Sequence, residues 1–386
     1  MDTNINRYSQ NSPESSHRQL NFELLRILSM LMVVAIHFTL HGGIFETVYR
    51  SNLNYVFSVF LKNISTVSVD CYILITGYFL CKSKCHFEKV LTVYLQLFYY
   101  SIFFLLLNLI WPITPNVSRI SLFLHSIFPF TTMQYWFVSS YLALLFFSPF
   151  LNALIGIMDK RQFLFLLVGL SFVTSVMPSL GLDIFSFNRL AKPMLFILLY
   201  FVGAYCRCWV DLTRARGRFF LAAYLLLTAL NFMLLLANLV SMRTHNICLF
   251  HCEDFLFVLT CAAATALFLW FGCLKIASPR FGRIILFFAP LTFGVYLFHE
   301  NPYFMGFLWH RIVRIQNFFN SDWYPVIGIG AIIGIYLAGS GFDWIRQEIF
   351  LELRIRDRLR ATTLCRFVNT VFNSNPDAIY HKKDES

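Results

Sequence analysis

Apolar residues dominate this chain in long runs separated by short polar segments. The runs have the length of about 17–25 residues that a helix needs to cross a bilayer. They predict ten transmembrane helices at roughly 22–40, 55–80, 90–112, 135–157, 163–178, 193–210, 219–240, 254–273, 284–303 and 323–345. A polar segment, residues 1–21, precedes the first run without a small-residue cleavage site, which favours a retained helix over a removed signal peptide.

Composition supports a membrane protein over a soluble one. Of 386 residues, 58% are hydrophobic and only 13% are charged, and 45 are phenylalanine. A soluble domain has about 25% charged residues and could not bury this much apolar surface. We therefore predict an all-α polytopic membrane protein in three regions: a polar tail (1–21), a transmembrane domain (22–345) and a charged tail (346–386).

The basic residues indicate an orientation. With a cytoplasmic N-terminus, 23 of the 31 Lys and Arg residues fall on the cytoplasmic side of ten spans, against eight outside. This bias follows the positive-inside rule and predicts that both termini are cytoplasmic. The formal charge of +11 is thereby explained without a nucleic-acid partner. The ten cysteines are scattered and form no disulfide framework.

The first predicted span carries ionisable residues on one face. Arg26 and His37 are eleven residues apart, so at 100° per residue they are offset by only about 20° and lie about 16 Å apart along the helix. Glu23, three residues before Arg26, shares that face. Ionisable groups within spans face the protein interior and are functional candidates.

Simpler interpretations exist for each residue. Arg26 could extend to the inner headgroups with Glu23 as an incidental partner, and His37 could make a helix–helix hydrogen bond. His41 follows His37 at metal-ligand spacing. Because no nearby Glu or Asp in the sequence completes a ligand set, we predict no metal site.

Arginine, ten intervening residues and histidine in a first span resemble the hallmark of the acyltransferase-3 family of membrane acyltransferases. Three further blocks agree in the family's order: residues 69–80 with Asp70 before a Thr-Gly-Tyr turn, residues 134–149 with Trp136 and Tyr141, and residues 292–300, which end in His299-Glu300. The loop after the second span carries Lys82 and Lys84 where some relatives have an arginine pair. Lysine can neutralise phosphate but lacks the bidentate fork of arginine.

The resemblance implies transfer of an acyl group, usually acetyl, from cytoplasmic acetyl-CoA to a sugar hydroxyl of a surface or lipid-linked glycan. It implies no tightly bound cofactor: acyl-CoA is the donor substrate, and membrane lipids surround the protein. The expected location is a bacterial cell membrane. His37 is the candidate base or transient acyl carrier, because histidine titrates near neutral pH. Arg26 is the candidate donor-side cation, with Glu23 to orient it.

Other residues are candidates for supporting roles. Asp70 could orient His37, or else pair with Arg26 or Lys62. His299 and Glu300 are expected at the level of His37 and could bind the acceptor, or form an interfacial pair. Trp136 and Tyr141, with neighbouring Tyr135, could stack on a sugar or belong to the interfacial aromatic belt. Lys82 and Lys84 are candidates for binding the CoA phosphates.

A polysaccharide flippase or anion transporter is the alternative function, since an intramembrane Arg and His also suit an anion path. Transporters of that kind often show paired repeats, and none is visible here. The sequence has no phosphate-binding or dinucleotide glycine motif, which leaves ATP-driven transport and nucleotide redox chemistry without support.

Overall fold

A computed structural model describes residues 19–47, 52–114, 117–182, 191–213, 215–244 and 256–373. Within those ranges the chain is helical and has no β-strand, as predicted. Its α-helices are α1 (Leu20–His41), α2 (Ile44–Thr47), α3 (Leu53–Ser65), α4 (Ser68–Leu80), α5 (Phe87–Ile110), α6 (Arg119–Ile127), α7 (Trp136–Ile157), α8 (Lys160–Ser171), α9 (Met177–Ser179), α10 (Ala191–Trp209), α11 (Gly217–Thr244), α12 (Val258–Cys273), α13 (Pro279–Phe288), α14 (Thr292–His299), α15 (Met305–Phe307), α16 (Tyr324–Glu352), α17 (Ile355–Arg360) and α18 (Thr363–Asn373).

Eight segments among the described residues are long and apolar enough to cross a membrane. They are Leu20–His41, Leu53–Leu80, Phe87–Ile110, Trp136–Ile157, Lys160–Ser179, Gly217–Ser241, Pro279–His299 and Tyr324–Glu352. Each coincides with a predicted span. The other two predicted spans coincide with α10 and with α12, a shorter apolar helix. The count of ten and the orientation of the termini therefore stay predictions, and most of segment 1–21 lies outside the described residues.

Helix α1 lies at the centre of the bundle. It packs against α3, α4, α12, α13, α14 and α16. Peripheral helices such as α8 and α11 instead expose large apolar side chains, including Phe165 and Leu226. An apolar exterior suits a lipid environment, whereas polar residues of α1 face protein. This arrangement explains why one helix can carry four ionisable side chains.

Helices α4 and α10 pack closely because glycine faces backbone on both sides. A Cβ atom at Gly77 would collide with the Tyr200 carbonyl, and one at Gly203 with the Leu74 carbonyl. Small residues permit such approaches between membrane helices. The Thr-Gly-Tyr segment, which the sequence analysis described as a turn, is helical here, and its Gly77 has a packing role.

We expect Gly77→Ala to destabilise the protein, because the added methyl group has no space between two backbones. Overpacking costs about 1–3 kcal/mol, seen as a lower thermal unfolding midpoint of the detergent-solubilised protein. Gly330→Ala on α16 is the matched control, since a Cβ there meets nothing within 4 Å. Equal midpoints for the two variants would contradict this account of the α4–α10 contact.

Candidate active site

Three histidines and a glutamate meet where α1 approaches the end of α14. His37 Nδ1 lies 2.9 Å from His299 Nε2 and 3.2 Å from Glu300 Oε2. His41 Nε2 lies 3.3 and 3.2 Å from the two Glu300 oxygens. The rings of His37 and His41 stack with centroids 5.3 Å apart. The structure thus joins residues of the first span to residues 262 positions later.

The turn after α14 is held by buried hydrogen bonds. Tyr135 Oη donates to the Leu297 carbonyl at 2.9 Å, and Asn301 Nδ2 donates to Tyr135 Oη at 2.7 Å. Asn301 Oδ1 accepts from the Tyr303 amide at 2.9 Å. Tyr135 and Asn301 are both buried. These bonds fix the backbone on each side of Glu300, so Tyr135 supports the site instead of facing an acceptor.

The hydrogen-bond chain through His299 defines the tautomer of His37. His299 Nδ1 lies 2.6 Å from the Val295 carbonyl oxygen, which can only accept, so Nδ1 carries the proton. The bare Nε2 of neutral His299 then accepts from His37 Nδ1. Neutral His37 consequently has its lone pair on Nε2, the nitrogen directed away from His299. The hydrogen bond at His37 Nδ1 thus fixes the ring orientation and leaves Nε2 available as a base.

The cluster is partly open. His299 is fully buried, whereas the side chains of His37, Glu300 and His41 keep 13%, 16% and 26% of their exposure. A small molecule could therefore reach His37 and Glu300 but not His299. The buried His299 therefore orients His37, and the part-exposed His37 is available for chemistry.

Arg26 and Glu23 form a separate site nearer the start of α1. Arg26 Nη1 donates to both Glu23 oxygens at 3.0 and 2.9 Å. The Tyr72 hydroxyl donates to the Arg26 carbonyl at 3.1 Å. The Arg26 side chain keeps 32% of its exposure while Glu23 keeps 10%. The i, i+3 spacing therefore brings Glu23 against an arginine that retains open donors.

Asp70, Trp136 and Tyr141 lie apart from the histidine cluster. The carboxylate that contacts His37 is Glu300, while Asp70 is buried beside the thiols of Cys71 and Cys261. We therefore do not retain Asp70 as the group that orients His37.

The two aromatic candidates have other neighbours. Trp136 has Lys192 Nζ 4.4 Å from its ring centroid. Tyr141 stacks on Phe137, its hydroxyl lies 3.4 Å from Thr76 Oγ1, and it lies near enough to Arg26 to interact with it electrostatically. Tyr141 thus belongs with the Arg26 site, and Trp136 packs at the start of α7.

The loop with Lys82 and Lys84 is exposed and is held by the C-terminal helix α18. Asn373 makes two hydrogen bonds to the Cys85 backbone, at 2.8 and 2.9 Å. Asn369 accepts from the Phe87 amide at 2.8 Å and donates to the buried Glu88 carboxylate at 2.9 Å. The charged tail thereby fixes the backbone between the two lysines and α5.

The thiols in this loop do not suit covalent chemistry. Burial raises the pKa of Cys81 to about 12 and also raises the pKa of Cys85. A thiolate is the nucleophilic form of cysteine. Neither residue is therefore a candidate acyl carrier at neutral pH.

A buried ion pair that the sequence analysis missed, between Asp343 and Arg346 of α16, packs against α14, the helix of His299. Arg346 binds both oxygens of Asp343 at 2.8 and 2.9 Å, and Gln96 and Tyr100 of α5 donate to Asp343 at 3.0 Å. A Cβ atom at Gly294 of α14 would collide with Asp343. The predicted last span ended at residue 345, which assigned Arg346 to the tail. An Asp and an Arg at i, i+3 in one apolar run were the available signal.

The histidine cluster also contains the one group of possible metal ligands found among the described residues. Ligand atoms of His37, His41 and Glu300 all lie within 4.8 Å of one another. The predicted absence of a metal site depended on a missing carboxylate. Glu300 supplies that carboxylate from a distant part of the sequence.

The fold and the site define a multi-pass, all-helical membrane protein with a histidine–glutamate cluster inside the bundle. The family model of the acyltransferase-3 acyltransferase domain matches residues 19–340. The chain therefore belongs to the acyltransferase-3 family and is a membrane acyltransferase. The matched residues include α1, α14 and every member of the cluster. Comparison with curated proteins gives no match, and neither does comparison with solved structures.

We expect Asp343→Ala to destabilise the protein strongly, because it leaves the buried Arg346 charge without its carboxylate. Breaking one partner of a buried pair costs about 3–5 kcal/mol, measured as a lower unfolding midpoint. The double variant Asp343→Ala/Arg346→Met should recover most of that loss. Asp357→Ala, at an exposed position on α17, is the control. A double variant less stable than Asp343→Ala would contradict this role of the pair.

Proposed function

We propose that this membrane acyltransferase moves an acyl group, acetyl in the simplest case, from acyl-CoA to a sugar hydroxyl of a surface or lipid-linked glycan. The observation that carries the proposal is the hydrogen-bond chain from Val295 through His299 to His37, which leaves the lone pair of this part-exposed histidine on Nε2. A sugar hydroxyl is a weak nucleophile and needs such a base.

In the proposed reaction His37 Nε2 takes the hydroxyl proton while the sugar oxygen forms a bond to the thioester carbonyl carbon. The carbon–sulfur bond then breaks, and the imidazolium returns the proton to the CoA sulfur. Glu300, 3.2 Å from His37 Nδ1, stabilises the imidazolium electrostatically. In the alternative form of this proposal, His37 is a nucleophile that carries the acyl group briefly. Trapping of an acylated His37 would reveal that form.

The donor side is proposed at the start of α1. With the N-terminus in the cytoplasm, Arg26 lies towards the cytoplasmic surface, about 16 Å along the helix from His37. Its open donors suit a phosphate of acyl-CoA, because the thioester carbonyl that reacts must lie beside His37 and so beyond the reach of Arg26. Lys82 and Lys84 are exposed in their loop and could neutralise the remaining phosphates. The acceptor sugar is then expected beside His37 and Glu300.

Labelled acetyl-CoA, supplied to membrane vesicles that contain the native glycan, tests the base. His37→Ala should lower incorporation of label by about 10²–10⁴-fold, since general-base catalysis contributes that much. His299→Gln and Glu300→Gln should lower the rate less, because they orient or stabilise His37. Leu40→Ala, on the exposed face of α1, is the control. Full incorporation by His37→Ala at equal membrane abundance would reject the proposed role.

The tail helix supplies a test of the donor side. Asn369→Ala/Asn373→Ala removes four hydrogen bonds of α18, two to Cys85 of the lysine loop and two to the first turn of α5. Each bond is worth about 1 kcal/mol, so a loosened loop should raise KM for acyl-CoA by about threefold to tenfold and leave kcat within about twofold. Thr370→Ala, exposed on the same helix, should leave both unchanged. An unchanged KM in the double variant would exclude this loop from the donor site.

A further inference from the structure

We propose that His37, His41 and Glu300 bind a divalent transition-metal ion of the zinc class, and that the bound ion blocks acyl transfer. The proposed metal binding is argued from geometry alone. The proposed inhibition by the ion rests on the acyl-transfer function proposed above. The site shares His37 and Glu300 with the proposed chemistry and adds His41, which that chemistry does not need.

The ligand set comes from two helices. His37 and His41 lie four residues apart on α1 and present stacked rings on one face. Glu300 follows the last residue of α14 and places one oxygen, Oε2, 3.2 Å from a nitrogen of each ring. Two histidines and a glutamate are a known zinc ligand set, with a fourth position left for water.

Two of the three ligand-atom spacings match a single tetrahedral ion, and the third, between the nitrogens of His37 and His41, lies within 4.8 Å, so binding would draw the two rings together. Zinc–nitrogen and zinc–oxygen bonds of about 2.0–2.1 Å at tetrahedral angles place two ligand atoms about 3.3–3.4 Å apart. Both histidine–carboxylate distances are 3.2 Å. The three side chains are partly exposed, which gives an ion access. A carboxylate between two imidazoles also supplies the negative charge that a partly desolvated cation needs.

A metal ion and the active tautomer of His37 exclude each other. In the active form Nδ1 of His37 carries a proton and donates it to His299 Nε2 at 2.9 Å. An ion on Nδ1 displaces that proton and leaves the neutral ring protonated at Nε2, so no lone pair faces the acceptor. It also occupies Glu300, which otherwise stabilises the imidazolium. Zinc would therefore act as an inhibitor that competes with the productive hydrogen bond.

The test uses full-length protein, stripped with a chelator and reconstituted in lipid nanodiscs. Titration with zinc should show one site, and cobalt(II) should give the visible absorption of a four-coordinate ion. His41→Ala should weaken zinc binding by at least tenfold. His125→Ala, which removes an exposed histidine of α6, should bind as the unaltered protein does. Absence of stoichiometric binding, or unchanged binding by His41→Ala, would overturn the site.

Activity separates this inference from the proposed function. Zinc should inhibit labelled acetyl transfer at concentrations that fill the site, and the chelator should restore it. Inhibition of His41→Ala should require at least tenfold more zinc. Zinc binding without any acetyl transfer by the unaltered protein would support the site and reject the proposed function. Stimulation of transfer by zinc would overturn the inhibitory role.

Discussion

The structure depends on one constraint: an ionisable side chain within a membrane span must find its partner inside the protein. Helix α1 carries four such side chains and is the helix that the others surround. Glu23 and Arg26 satisfy each other locally, one turn apart. His37 and His41 cannot do so and depend on Glu300 from α14. The need to pair these groups therefore requires that two distant spans meet.

The same constraint recurs at Asp343 and Arg346, whose burial gives the site a rigid support. Five donor atoms from four side chains of α5 and α16 converge on Asp343, and Gly294 of α14 lies against it without space for a Cβ atom. A polar network that is fully satisfied fixes one arrangement of its helices. Here that arrangement determines where α14 ends, and hence where Glu300 stands.

Periodicity and hydropathy predicted the local features of the fold and of the candidate site. The shared face of Glu23, Arg26 and His37 results from 100° per residue, and eight predicted spans match apolar helices. The predicted spans also gave His299 and Glu300 the same depth as His37, but local pattern could not predict which side chains make contact across the bundle. Asp70 was a candidate to orient His37 by analogy with other base–carboxylate pairs, with Arg26 or Lys62 as alternative partners, yet the carboxylate that contacts His37 is that of Glu300. The metal-ligand set was discounted because no Glu or Asp lies near His37 and His41 in the sequence, whereas the carboxylate that contacts His41 lies 259 residues away.

The two functional regions of α1 differ in how they depend on the fold. The Glu23–Arg26 pair is formed within one helix turn, so changes elsewhere in the bundle leave its geometry intact. The tautomer of His37 requires a carbonyl on Val295, an imidazole on His299 and the correct position of α14. Proton transfer is sensitive to displacements of a fraction of an ångström. Substitutions that loosen α14 should therefore impair turnover before they impair donor binding, although none of them touches a substrate.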